Sequence, residues 1–233
     1  MQHIISFSGN LGSGKDTIGA QVIDHLRFVH GKKTASFSFA KPLKEFCINV
    51  LGLNREHVYG SQKDKQQLTH LRWEDMPGIM VCDTEAVNFQ TYNSFVSKLD
   101  GLGFIGTANL MCHARGPMTV RDVLQFFGTE VGRRVYDNIW IDALHRELEN
   151  SDCEFAIITD GRFHNELDSL YNKNALLIKL LRQPIKEGLA HESEKQIETY
   201  TRWSAIIDNR EMNEEEQRKI AIAIIENYFE CLN

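Results

Sequence analysis

Gly9-Asn10-Leu11-Gly12-Ser13-Gly14-Lys15 fits the pattern G-x-x-x-x-G-K. In that pattern successive backbone N–H groups form a nest for phosphate oxygens, and the lysine reaches the outer phosphates. An apolar run precedes the glycines and a helix-like stretch follows, with Ile18, Val22 and Leu26 on one face. That helix adds its N-terminal dipole to the nest, so the loop predicts a nucleoside triphosphate site built from Gly9 through Thr17. Asp16 stands where a serine or threonine normally places its hydroxyl on Mg²⁺. The neighbouring Thr17 lies about 100° further round the helix and cannot simply take over. A carboxylate beside a triphosphate is costly unless a metal or another cation separates the two. Asp16 is therefore expected to face Mg²⁺, directly or through water; the alternative is an aspartate interacting with the first amides of a helix.

A second acid ends a second apolar run. "FAIITD" closes on Asp160, as in strands whose terminal carboxylate faces the phosphates and their metal, with helix capping as the alternative. Arg162 follows two residues later. "RDVLQFFGTEVGRR" (121–134) reads as a helix with an apolar face of Val123, Phe126 and Phe127 and with Arg121, Arg133 and Arg134 at its ends. An arginine fork suits phosphate, although charges at helix ends are commonly only solvated. Trp140 either stacks on a base or fills the core. Arg182 begins a polar stretch, 182–195, that reads either as a lid over the phosphates or as a solvated loop. Within it, "HESEK" places Lys195 where H-E-x-x-H needs its second histidine, which excludes a zinc protease on that motif.

These residues need a scaffold that presents them together. Five β-like runs, 3–8, 34–39, 154–159, 175–181 and 204–208, alternate with helix-like segments. Continuous apolar strands between amphipathic helices predict an α/β, doubly wound parallel sheet covered on both faces. Asn213 to Leu232 reads as a closing helix, with Ile220, Ile224, Ile225, Tyr228 and Leu232 at helical spacing and three glutamates in its first turn. From about 52 to 118 the pattern weakens into short mixed pieces, which points to an insertion in one domain spanning 1–233.

The bulk numbers bound the function. A chain of 233 residues with 42% hydrophobic and 25% charged residues is an ordinary globular composition. A net charge of −6 argues against coating nucleic acid. No apolar run reaches the length of a membrane span, and the opening residues lack the basic and apolar regions of a signal peptide. The five cysteines are widely spaced with no C-x-x-C pair, as expected of reduced thiols in a cytosol.

In sum of motifs the chain resembles the deoxynucleoside monophosphate kinases of tailed bacteriophages, of the T-even type. The matching stretches are "SGNLGSGKDT" (8–17), "FAKPLKE" (39–45), "RDVLQFFGTEVGR" (121–133) with Trp140, "TDGRFHNE" (159–166), "LIKLLR" (177–182), "HESE" (191–194) and "IIDN" (206–209). The resemblance makes G-K-D a form of the loop proper to the family. It implies an adenylate-kinase-like, three-layer P-loop kinase fold with a five-stranded parallel sheet and a helical or irregular insertion. It also implies ATP with Mg²⁺ as phosphoryl donor, a small-molecule deoxynucleoside 5′-monophosphate as acceptor, neither nucleic acid nor membrane as partner, a homodimer as a compatible state, and the host cytoplasm as location for a phage-encoded chain. Under the resemblance the substrate side is lined by Lys44, Arg121, Gly128, Thr129, Trp140, Asp160, Arg162 and Glu166. Lys15, Arg162 and Arg182 would then be catalytic, with Asp16 and Asp160 toward the metal. Phosphomevalonate kinases share a G-K-D loop, a P-L-K stretch and a D-x-R strand end, so a kinase of that kind is one alternative. A P-loop protein that only binds ATP is another.

Overall fold

The apolar runs form strands close to the positions read from sequence. The computed structural model describes residues 2–10, 12–81, 111–182 and 192–231. Strand β1 (His3–Gly9) leads through the glycine-rich loop into α1 (Lys15–Phe28), then β2 (Thr34–Phe37) and α2 (Ala40–Asn49). There follow α3 (Arg55–Tyr59), β3 (Leu68–Arg72), β4 (Ile79–Val81), β5 (Met111–His113), β6 (Pro117–Thr119), α4 (Val120–Gln125) and a π-helical segment, Phe126–Arg133. The order continues with α5 (Ile139–Glu149), β7 (Phe155–Ile158), α6 (His164–Tyr171), β8 (Leu176–Leu181), α7 (Glu192–Thr199), β9 (Ala205–Asp208) and α8 (Glu214–Glu230). The described elements fall into two compact units, Met1–Pro42 with Arg133–Asn233, and Leu43–Gly132.

The first unit is built on a parallel five-stranded sheet in the order β2-β7-β1-β8-β9. Successive strand side chains point to opposite faces, and here both faces are apolar. Ile4, Ala156, Ile158 and Leu177 join the core on the side of α5 and α6, with Leu144, Leu167 and Leu170. Ile5, Phe7, Ile157, Ile178 and Leu180 join the opposite core with Ile18, Val22 and Leu26 of α1 and Ala221 and Ile225 of α8. Each fully buried Ile, Leu, Val or Phe among these contributes about 1.5–3 kcal/mol relative to an exposed one, which explains strands dominated by apolar residues; Ser6 and Ser8 of β1 are buried among them. α8 is held at its start by a capping box between Asn213 and Glu216. Its buried stripe is Gln217, Ala221 and Ile225, whereas Ile220, expected on the apolar face, is exposed. Leu232 lies outside the described residues. No described helix is long and apolar enough to cross a membrane.

The second unit contains the stretch that the sequence left unread, and is wider than 52–118 on both sides. β3 pairs antiparallel with β6, and β4 pairs parallel with β5. Residues 82–110, most of the Gly-rich part of that stretch, lie outside the described residues. The buried side chains include Leu43, Cys47, Leu53, Val58, Trp73, Met118, Val120, Val123 and Phe126. A capping box between Thr119 and Asp122 starts α4. The expected helical face is real: Val123 and Phe126 are buried and Phe127 is half-buried. Its second half, however, runs in π-helical turns, a departure that hydrophobic spacing alone does not announce.

Candidate active site

The glycine-rich loop leaves the carboxyl end of β1, the central strand. There the chain turns to opposite edges of the sheet, the place where doubly wound sheets open a crevice. Two glycines take backbone angles that other residues rarely adopt, Gly12 at φ 76° and Gly14 at φ 88°. A Cβ at Gly9 would stand 2.7 Å from both the Leu180 carbonyl and the Ser13 hydroxyl. Gly14 is the N-cap of α1 and offers no side-chain cap, so the first-turn amides of α1 have no capping side chain, the condition under which a helix start takes an anion. The Lys15 ammonium lies across the loop, donating to the Asn10 carbonyl at 2.8 Å and the Ser13 hydroxyl at 3.4 Å, and the residue is 7% exposed.

Distant elements brace this loop. The Ser13 carbonyl accepts hydrogen bonds from Asn209 Nδ2 at 2.9 Å and Gln217 Nε2 at 3.3 Å, both donors being buried. Arg182, at the end of β8, donates from Nη1 to the Gly12 carbonyl at 3.4 Å. Arg182, Arg210 and Lys179 line a recess of about 150 Å³ beside Gly9 and Asn10. Asn209, Arg210 and Gln217 had no role in the sequence reading. Of the three, Asn209 alone falls in a matched stretch, "IIDN", and a glutamine on an amphipathic helix gives no local sign of its target.

Asp16 and Thr17 are exposed at the start of α1. Asp16 Oδ1 accepts the Thr159 hydroxyl at 2.6 Å. Gly19, one turn further, makes that approach possible, since a Cβ there would lie 2.6 Å from Thr159 Cγ2. Asp16 Oδ2 has no hydrogen bond to a described residue. An exposed carboxylate oxygen at the phosphate loop suits a hard, oxygen-seeking cation such as Mg²⁺, and Asp16 fits on that ground.

Asp160 is engaged differently. Its Oδ2 accepts the Ser38 hydroxyl at 2.6 Å and the Ala40 amide at 2.9 Å, and its Oδ1 accepts the Phe39 amide at 3.0 Å. It thus caps a helix, as its alternative reading allowed, but the helix is α2, far earlier in the chain. Oδ1 retains one acceptor direction.

Glu166 is 3% exposed. One oxygen pairs with the Arg133 guanidinium. The other accepts the backbone amides of Arg162 at 2.8 Å and Phe163 at 3.1 Å. Burial pushes its carboxyl up to about 7, against the opposing pull of Arg133 and of the two amides. Arg133 also lies 3.9 Å over the Phe163 ring. Glu166 therefore anchors the backbone that carries Arg162. The Arg162 side chain is half-buried and has no partner among the described residues. Trp140, near the start of α5, is half-buried and belongs to neither core cluster of the first unit.

The other expected substrate residues belong to the second unit. Lys44 holds its ammonium 4.8 Å above the Tyr59 ring. Arg121 donates from Nη2 to Gln62, and its Nε is buried without a partner. Gly128 and Thr129 lie in the π-helical segment, where a Cβ on Gly128 would meet Leu43 Cδ2 at 2.7 Å. Lys44 and Arg121 thus reach two points three residues apart on the same connection, Tyr59 and Gln62. Leu11 and 183–191, most of the expected lid, lie outside the described residues.

A parallel sheet with a lysine-bearing glycine loop off its central strand, and an acid at the neighbouring strand end, defines a P-loop kinase. The model of the deoxynucleotide monophosphate kinase family matches residues 3–220, and the chain belongs to that family. It is 29% identical over 199 residues, 76% of this chain and 74% of the other, to deoxynucleoside-5′-monophosphate kinase of Escherichia phage T5. It is 25% identical over 237 residues, 96% of each chain, to a protein of Acanthamoeba polyphaga mimivirus provisionally named a deoxynucleotide monophosphate kinase.

Proposed function

We propose that this kinase transfers the γ-phosphoryl group of ATP to the 5′-phosphate of a deoxynucleoside monophosphate, with Mg²⁺ as cofactor. The observation that carries the reading is the loop: a start of α1 with no capping side chain, and a buried lysine laid across the glycine-rich turn that leads into it. The acceptor's phosphate oxygen is already a nucleophile, so the protein's task is positioning and charge neutralisation. Lys15 and the loop amides hold the transferring group. Arg182, tied to Gly12, and Arg162, set by Glu166, offset the charge that spreads over the phosphoryl oxygens. Lys44 and Arg121 hold the acceptor phosphate, Trp140 its base, and Gly128 and Thr129 shape the acceptor side. Bound Mg²⁺ would neutralise charge on the β- and γ-phosphates, and Asp16 is the residue that holds it. Asp160 keeps α2 in place and adds its negative charge nearby.

The stretch 182–195 acts as a lid and the second unit as the acceptor-binding insertion of a single catalytic domain. Neither nucleic acid nor membrane is a partner in this reading. Homodimer formation is compatible with it, and both named relatives being viral agrees with action in host cytoplasm. ADP release from ATP, measured with each deoxynucleotide, each ribonucleotide and mevalonate 5-phosphate in turn, tests the assignment. Turnover with deoxynucleotides is expected; turnover only with mevalonate phosphate, or with none, overturns it. Lys15→Ala should lower kcat/KM by about 10³-fold with unchanged circular dichroism. Asp16→Asn keeps an acceptor for Thr159 but loses the charge, so the Mg²⁺ needed for half-maximal rate should rise about tenfold; an unchanged requirement removes Asp16 from the metal.

A further inference from the structure

Three side chains that the proposed reaction does not use converge at the far end of α1. His25 lies in its last turn, His30 in the loop that follows, and Glu226 on α8. Nε2 of His25 and Nε2 of His30 approach the same oxygen, Oε1 of Glu226, the second at 2.8 Å. The three ligand-type atoms all lie within 4.8 Å of one another. The rings are held in place: His30 packs against Phe229 with centroids 4.4 Å apart and meets His25 edge-on at 5.4 Å. His25 stands ten residues after Lys15 on the same helix, about 15 Å along its axis, so the cluster is separate from the phosphate loop.

A carboxylate neutralises one imidazolium, and a second histidine aimed at the same oxygen adds little as an ion pair. As a donor set, however, two imidazole nitrogens and one carboxylate oxygen match Zn²⁺ and related late first-row ions. Neither Nδ1 has a partner among the described residues. Both rings can therefore carry their proton on Nδ1 and turn the Nε2 lone pair toward the common focus. Metal–ligand bonds of about 2.0–2.1 Å place tetrahedral donors about 3.3 Å apart, within reach of small side-chain rotations. The Glu226 side chain is 36% exposed, which leaves room for a water as fourth ligand.

We propose that His25, His30 and Glu226 form a binding site for a Zn²⁺-type divalent cation, distinct from the Mg²⁺ of phosphoryl transfer. The ion would join α1, which carries the phosphate loop, to α8, whose Gln217 braces Ser13. The test is titration calorimetry of the chelator-treated full chain with Zn²⁺ alone, together with thermal unfolding. One equivalent is expected to bind, and Tm to rise by about 5–10 °C when free Zn²⁺ exceeds Kd about 100-fold. His30→Ala and Glu226→Gln should each weaken binding about tenfold or more. Glu226→Gln retains a hydrogen-bond acceptor of the same shape, so it separates loss of a ligand from loss of the fold, which circular dichroism checks. Absence of Zn²⁺ binding by the parent chain, or binding unchanged in both variants, overturns the proposal.

Discussion

At the scale of single residues, the same amino-acid type does different work according to what surrounds it. Asp16 and Asp160 close adjacent features of one motif set, yet one is exposed with an oxygen to spare and the other is committed to three donors at the start of α2. Glu166 is a third case, a buried acid whose value lies in holding Arg133 and the Arg162 amide. Removing its charge with Glu166→Gln leaves the Arg133 guanidinium, whose side chain is 9% exposed, buried without its close partner and with only the exposed Asp137 at 3.9 Å as counter-ion. Breaking a buried pair from one side typically costs about 3–5 kcal/mol, so a fall of that order in the urea unfolding free energy is expected. Replacing both partners with apolar residues of similar volume should recover a large part of it; a single variant as stable as the parent would show that the pair carries no such weight.

At the scale of elements, α1 is placed by what its glycines omit. Alanine is a better helix former than glycine by about 1 kcal/mol, and on propensity alone Gly19→Ala should stabilise α1. A Cβ there would instead stand 2.6 Å from Thr159 Cγ2, so that either α1 moves away from β7 or Thr159 rotates and gives up its bond to Asp16. Overpacking of this kind costs about 1–3 kcal/mol. The variant should therefore be less stable, and, because the Thr159 to Asp16 bond spans the same gap, it should also raise KM for MgATP. A variant more stable than the parent would mean that α1 can shift freely. The apolar face of 121–134 is legible in its spacing, whereas its π-helical turns are not, since hydrophobic spacing does not distinguish them from α-helical turns.

At the scale of the whole molecule, the expected site residues divide between the units. The phosphate loop, Asp160, Arg162, Glu166 and Arg182 belong to the unit built on the parallel sheet, and Lys44, Arg121, Gly128 and Thr129 to the unit of Leu43–Gly132. If the second unit serves the acceptor, Lys44→Ala and Arg121→Ala should each raise KM for the deoxynucleotide by about tenfold, equivalent to about 1.4 kcal/mol, and leave KM for ATP nearly unchanged. Equal effects on both constants would refute the division. Initial rates measured with each substrate varied in turn distinguish the two outcomes.

The amino-acid sequence alone carried the phosphate loop, the five parallel strands and the closing helix, because each is a local statement. A glycine-rich loop, an apolar run and an acidic first turn of a helix are legible within a few residues. Membership of the kinase family was also legible, since its motifs recur along most of the chain. The tertiary structure decided the partners that lie far away in sequence: Asn209 and Gln217 on Ser13, 196 and 204 residues distant, and Asp160 on Ser38, 122 residues distant. It also decided that two histidines and a glutamate meet behind the loop. The physical reason is the same in each case. A side-chain hydrogen bond is specified by the meeting of two surfaces, and no pattern local to either residue records which surface the fold will bring to it.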